Sequence, residues 1–204
     1  LTITAALLVK PCHGATWEGT DDFSGNLAKW DTTYIHPGQP SDGFFLSGGH
    51  LQFIKTATTT AYESSGLLIW LRSLPFNTNW IVLVDAHLKS LSVMSSNPND
   101  QDIRAALFVY ENLSTAFSPY KKRLDPTLLS DTSNDVIRAM DLPSTPVTGG
   151  GWDFTLGISF DAITRTATSF YYPSNQPQQL AILTNLNMGS WTNMQIMLYG
   201  LSEY

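Results

Sequence analysis

In residues 80–91 every second position is apolar: Trp80, Val82, Val84, Ala86 and Leu88 share one parity, while Asp85, His87 and Lys89 share the other. A period of two marks a strand whose side chains alternate between a packed face and an outer face, and it argues against a helix, whose repeat is 3.6. The same alternation recurs in 103–111, where Ile103, Ala105, Leu107 and Val109 oppose Arg104, Phe108 and Tyr110. In 153–160 it sets Phe154, Leu156, Ile158 and Phe160 against Asp153, Thr155 and Ser159. Further short runs of Val, Ile, Leu, Phe, Tyr and Thr are separated by clusters of Gly, Pro, Asn, Asp and Ser, the punctuation of an all-β chain. Strands are expected near 44–47, 50–56, 66–73, 80–91, 103–111, 135–142, 153–160, 165–172 and 193–200. Phe160 to Thr166 reads as a hairpin loop, and the Pro-, Gly- and Asp-rich segments 121–134 and 143–151 as connections over the sheets. No segment offers three helical turns with an apolar stripe.

Composition agrees with strands. Only 14% of the 204 residues are charged, and polarity comes from 22 Thr, 20 Ser and 11 Asn, residues of strands and turns and not of helices. Eleven basic residues against 17 acidic ones leave a net charge of −6, which disfavours a phosphate-binding surface and with it nucleic acid. The lone Cys12 excludes an intramolecular disulfide and a multi-cysteine zinc site. Residues 1–16 read either as the tail of an export signal or as a first strand: Leu1 to Val9 has the length of a signal's apolar core, and small residues follow at Gly14 and Ala15. Residues 17–204 are expected to form one domain, secreted or at the cell surface, with no membrane span, since no run approaches ~20 apolar residues.

Three segments carry a resemblance: Asp21-Asp22-Phe23-Ser24-Gly25-Asn26-Leu27 leading to Lys29-Trp30, then Leu46-Ser47-Gly48-Gly49-His50-Leu51-Gln52-Phe53, then Gly157-Ile158-Ser159-Phe160-Asp161-Ala162. Together they resemble the concanavalin A-like lectin/glucanase superfamily, and within it the jelly-roll domains of exported bacterial surface proteins. The resemblance implies a two-sheet antiparallel β-sandwich with one concave sheet.

Enzymes of that superfamily set the chemistry to test. The laminarinase-type relatives carry Glu-x-Asp-x-Glu on one strand; this chain has four Glu in all, Glu18, Glu63, Glu111 and Glu203, and cannot form it. A cross-strand carboxylate pair, Asp85 with Glu111, would be the alternative for glycoside hydrolysis. A polysaccharide lyase would need a base, an acid and cations facing a uronate, and His87, Tyr110, Arg72 and Arg104 are the residues of those types. Asp85, two residues from His87 on the same face, would repel such a substrate, and the plainer reading of His87 and Arg104 is a cross-strand pair on a solvated face. The four histidines, His13, His36, His50 and His87, lack the i,i+2 or i,i+4 partner of a zinc motif. No cofactor is called for. Asp21 and Asp22 are the candidates for a structural calcium, and otherwise are turn residues.

Sugar binding asks for less: a ring to stack on a pyranose face and polar groups for its hydroxyls. Trp70 with Arg72, and Phe108 with Tyr110, share the parity of the outer faces of their strands, and Asp85, His87, Lys89 and Arg104 would flank them. Trp70 lies in an apolar run, where a tryptophan is more often a core residue than a platform, and Trp30, Trp80, Trp152 and Trp191, at strand or loop starts, read as core anchors. Asn112-Leu113-Ser114 fits a glycosylation sequon. The expectation is a non-catalytic carbohydrate-binding or surface-recognition domain that presents its concave face to a glycan or cell-surface partner. Its alternatives are a lyase or hydrolase of the same architecture and a structural or adhesive domain without a sugar site.

Overall fold

The computed structural model describes residues 2–3, 7–11, 20–31, 35–36, 43–54, 64–88, 102–111, 123–124, 126–131, 135–139, 145–146 and 152–203, with side-chain surroundings for 21–31, 44–52, 68–86, 106–111, 153–183 and 185–200. In chain order the strands are β1 (Thr2–Ile3), β2 (Leu7–Pro11), β3 (Thr20–Asp21), β4 (Trp30–Asp31), β5 (Ile35–His36), β6 (Gly43–Ser47), β7 (His50–Ile54), β8 (Ser64–Ser73) and β9 (Trp80–Leu88). They continue with β10 (Asp102–Tyr110), β11 (Arg123–Leu124), β12 (Pro126–Asp131), β13 (Asp135–Ala139), β14 (Thr145–Pro146), β15 (Trp152–Asp161), β16 (Thr166–Pro173), β17 (Ala181–Asn187) and β18 (Gln195–Glu203). One 3-10 turn, Pro177–Gln179, precedes β17.

The strands form two antiparallel sheets. The first runs β17-β16-β15-β9-β1-β7-β6, with β2 on β9 and β3 on β2; the second runs β14-β13-β12-β10-β18-β8-β4, with β11 on β10 and β5 on β8. They stack strand over strand: β10 lies over β9 and β15, β12 over β15 and β16, β13 over β17, and β8 over β6. Because parity decides which face a residue takes, register fixes the core. Val84 opposite Leu156, Val82 opposite Ile158 and Trp80 opposite Phe160 form the inner face of the first sheet. Leu107, Val109, Ile196, Leu198, Leu68 and Trp70 form that of the second. Trp30, Trp80 and Trp191 are core residues as expected.

The segments that carried the resemblance hold the fold together. Asp21, 5% exposed, accepts from the Phe23 N–H at 2.9 Å and from the Trp30 indole N–H at 2.8 Å, tying the start of the sandwich to the ring that packs edge-on against Trp70 at 5.0 Å. Gly48 and Gly49 turn the β6–β7 hairpin with φ of +61° and +75°, the left-handed values of a two-residue turn that favours glycine. Phe160 stacks on Trp80 at 5.2 Å. Asp161 closes the β15–β16 hairpin by accepting from the Ile163 and Thr164 N–H groups, and Asn79 accepts from the Ala162 N–H at 2.8 Å.

Three features depart from expectation. The region 121–134, expected as a connection, contains β12, which pairs with both β10 and β13; its Thr127-Leu128-Leu129-Ser130 core is too short for alternation to show. Thr145 and Pro146 likewise pair with β13 inside the expected connection 143–151. Strand β17 was not expected, because a register shift against β16 at Ser169 and Phe170 breaks its period of two. Thr2–Ile3 and Leu7–Pro11 lie in strands of the first sheet, paired with β7, β9 and β3. Cys12, His13 and the sequon at 112–114 lie outside the described residues.

Candidate functional site

The expected ligand surface required β9 and β10 to be neighbours, and they are not. Strand β9 pairs with β15, β1 and β2 in one sheet, and β10 with β12, β11 and β18 in the other. Asp85 and His87 are therefore on a different sheet from Arg104, Phe108 and Tyr110, and Asp85 does not form a cross-strand pair with Glu111. The reason is topological: strands adjacent in a jelly-roll sequence commonly sit in opposite sheets, and alternation within a strand carries no information about its partner. The proposed His87–Arg104 cross-strand pair fails for the same reason, and the set His87, Tyr110, Arg72 and Arg104 is not brought onto one sheet.

Residue by residue, Trp70 is 2% exposed and faces the core beside Trp30; it is a packing residue and not a platform. Arg72 is exposed on β8, beyond the point where pairing with β18 slips between Met197–Ile69 and Gln195–Ser73. Phe108 and Tyr110 do point away from the core, but each is 4% exposed. With Ile69, Ala106 and Met197 they form a second apolar cluster, flanked by Tyr199, whose ring stacks on Phe108 at 5.4 Å. The outer face of the second sheet is thus sealed over these residues, Met197 being wholly buried. The run Ala105-Ala106-Leu107-Phe108-Val109-Tyr110 already shows this in its lack of polar interruption, the mark of a strand buried on both sides. His87 pairs with Asp153 and Thr2 through the backbone, and Arg104 with Leu129 and Leu201; their side chains, and Lys89 altogether, lie outside the described residues.

The outer face of the first sheet is different. Ile81, Leu83 and Asp85 on β9, opposite in parity to the buried Val82, Val84 and Ala86, remain partly accessible, as do Ser159, Thr168 and Tyr172, while Asp153, Ser174, Ile182 and Asn185 are exposed. Three rows cross the strands. Ile81, Ser159, Thr168 and Asn185 make one, Leu83, Gly157, Phe170 and Ile182 the next, and Asp85, Thr155 and Tyr172 the third. In the middle row Gly157 and Phe170 are buried, Phe170 being 6% exposed, and its ring lies over Gly157, so close that a Cβ built on the glycine would fall 2.2 Å from Cε2 of the ring. Phe170 and Tyr172, two residues apart on β16, hold their rings 6.4 Å apart and within 12° of parallel.

In the third row Thr155, 3% exposed, donates its hydroxyl proton to Asp85 Oδ1 at 2.6 Å. That leaves Thr155 Oγ1 only as an acceptor for Ser174, 3.2 Å away, so the chain runs Ser174 to Thr155 to Asp85. It fixes the carboxylate while Asp85 Oδ2 takes no hydrogen bond from a described residue. The arrangement offers a held carboxylate acceptor on β9 and, across Thr155 in the same row, a ring on β16 backed by a second ring. Of these residues the sequence reading found only Asp85. Thr155 was visible as the polar parity of its strand, but the outward parity of β16 is aromatic at Phe170 and Tyr172, which hides that face in the sequence.

The calcium candidates are engaged elsewhere. Both Asp21 oxygens accept hydrogen bonds, from Phe23 and Trp30, and Asp22 Oδ1 accepts from the Ser24 N–H and hydroxyl at 3.0 and 2.8 Å. The Ser24 hydrogen bonds hold the Asp22 carboxyl below its ordinary pKa. These are the geometries of turn residues. Among the described residues no group of three or more His, Cys, Asp and Glu is placed to hold a metal. Nor is any helix among them long and apolar enough to cross a membrane.

No family model matches the chain, and no curated protein does. Solved structures do. The winged bean acidic lectin complexed with methyl-α-D-galactose superposes with a TM-score of 0.56 at 11% identity, over 90% of this chain and 88% of that one. The lectin I-B4 from Griffonia simplicifolia, in its metal-free form, gives 0.54 at 14% identity, over 90% and 94% of the two chains. The lectin from Bauhinia forficata in complex with GalNAc gives 0.53 at 10% identity, over 97% and 96%. Likeness at such low identity speaks for architecture alone, and with the two stacked antiparallel sheets it leads to one conclusion: the chain has the concanavalin A-like jelly-roll fold, an all-β, two-sheet antiparallel sandwich.

Proposed function

We propose that this chain is a non-catalytic carbohydrate-binding or surface-recognition domain, exported to the cell exterior or surface, and that its ligand face is the outer side of β9, β15, β16 and β17. One observation carries the proposal: on the outer side of the second sheet Phe108, Tyr110 and Met197 are buried, while that of the first holds the Asp85 carboxylate in one row with the partly accessible Tyr172, Thr155 standing between them. A carboxylate accepts hydrogen bonds from sugar hydroxyls more strongly than a neutral acceptor does, and an aromatic ring supplies the apolar contact for a pyranose face. The lectins that share the fold, two of them with a sugar bound, lend support to a saccharide ligand. The test is a glycan array followed by titration of the best ligand into Tyr172→Ala and Asp85→Asn. Each variant is expected to lose about tenfold in affinity, roughly 1.4 kcal/mol, with an unchanged melting profile. Unchanged affinity in both would refute the assignment of the face.

A second reading, a structural or adhesive domain without a sugar site, is favoured by the second apolar cluster, in which Ile69, Ala106, Phe108, Tyr110 and Met197 are given over to packing on the outer side of the second sheet. It predicts no ligand on a broad glycan panel.

A further inference from the structure

We infer that Thr155 is a positioning residue of this face, which turns Asp85 into an acceptor for one donated sugar hydroxyl proton; this rests on the carbohydrate reading of the same face. The first argument is direction. A carboxylate only accepts hydrogen bonds, so the 2.6 Å contact between Thr155 and Asp85 Oδ1 uses the threonine proton. Thr155 Oγ1 then has only lone pairs for Ser174, and their 3.2 Å contact uses the serine proton. Both hydroxyl protons run one way, toward Asp85 Oδ1, and the relay keeps none for a ligand. What it presents is Asp85 Oδ2, on a partly accessible residue. A ligand atom that only accepts, such as an ether oxygen or a fluorine, gains nothing there. A hydroxyl group does.

The second argument is anchorage. Thr155 is 3% exposed, too deeply set to touch a ligand, so it acts through Asp85. Its strand register is fixed on both sides, by Asp85 on β9 and by Tyr172 on β16. Ser174 directly follows β16, and its backbone N–H donates to the Asp153 carbonyl at 3.0 Å. The far end of the relay is thus tied to β15, and turning the Asp85 side chain breaks the shorter of the two hydroxyl hydrogen bonds. A hydroxyl bonded to a carboxylate is among the stronger hydrogen bonds, and an acceptor held before the ligand arrives loses less freedom on binding. The hydroxyl of Thr155 is therefore the part that matters to the ligand. Thr155→Val removes it and keeps the branched shape, whereas Thr155→Ser keeps it and drops the methyl group.

The experiment is calorimetric titration of the full chain with glucose, galactose, mannose and N-acetylglucosamine, with their β-1,4-linked tetrasaccharides, and with deoxyfluoro derivatives of whichever sugar binds. The inference predicts that Thr155→Val weakens binding about tenfold and that Thr155→Ser restores it to within about twofold. The double variant Thr155→Val/Asp85→Asn should bind no more weakly than Asp85→Asn alone, because Thr155 acts only through Asp85. At one hydroxyl position fluorine, which cannot donate, should lower the affinity of the unaltered chain but not that of Asp85→Asn. Ser174→Ala tests the relay without touching the buried threonine and should weaken binding about threefold. Wild-type affinity in both Thr155→Val and Ser174→Ala would overturn the inference, as would a loss in Thr155→Val that adds in full to that of Asp85→Asn. Losses in Asp85→Asn and Tyr172→Ala would then leave the carbohydrate reading standing. No heat with any saccharide would overturn both.

Discussion

Single residues show that this chain's recognisable motifs specify architecture. The Asp21 carboxylate satisfies two donors at once, the Phe23 N–H and the Trp30 indole. Asp21→Ala leaves both without their acceptor at a nearly buried site and is expected to cost about 2–4 kcal/mol in urea unfolding; Asp21→Asn should cost less, because one carbonyl oxygen survives. Gly157 makes the complementary point on the outer face, since a methyl group there must displace Phe170. Gly157→Ala should lower stability by about 1–3 kcal/mol and weaken ligand binding as Phe170 and Tyr172 move. Tyr171 gives a pH test. Burial raises its phenol above the ordinary value of 10.0, so the folded state holds the proton more tightly than the unfolded one. Its contribution is complete below 10.0 and falls away as pH rises through the higher folded value. Unfolding free energies measured across that range should show the decline, and Tyr171→Phe should flatten it.

At the scale of strands and hairpins, legibility followed the regularity of the pattern. Strands β9 and β15 alternate cleanly, and their inward residues in the structure are those of the apolar parity, because every second side chain of each meets the opposing sheet. Strand β10 alternates in geometry but is apolar on both faces, so Phe108 and Tyr110, taken for surface residues, are packed in a second cluster. Strands β16 and β17 slip by a residue at Ser169 and Phe170, and this slip concealed both β17 and the pairing of Phe170 with Ile182. Turns were easier, because their chemistry is local. The Gly48-Gly49 pair, with both φ values positive, predicts that Gly48→Val or Gly49→Val costs roughly 1–2 kcal/mol in chemical unfolding, and that Gly48→Asn is better tolerated, since asparagine accepts the left-handed region.

For the whole molecule, what the sequence left open was which strands lie side by side. Alternation gives each strand two faces, but only long-range pairing decides that β9 and β10 occupy opposite sheets, and with that decision the expected surface divides between two outer faces. The account rests on that of the first sheet. The most direct test is backbone amide mapping by NMR during titration with the glycan that binds most tightly. The account predicts that shifts concentrate at Leu83, Asp85, Thr155, Phe170, Tyr172 and Ser174, on the outer side of β9, β15 and β16. Shifts centred instead on Phe108, Tyr110, Met197 and Tyr199, or on the loops at the ends of the sandwich, would contradict it.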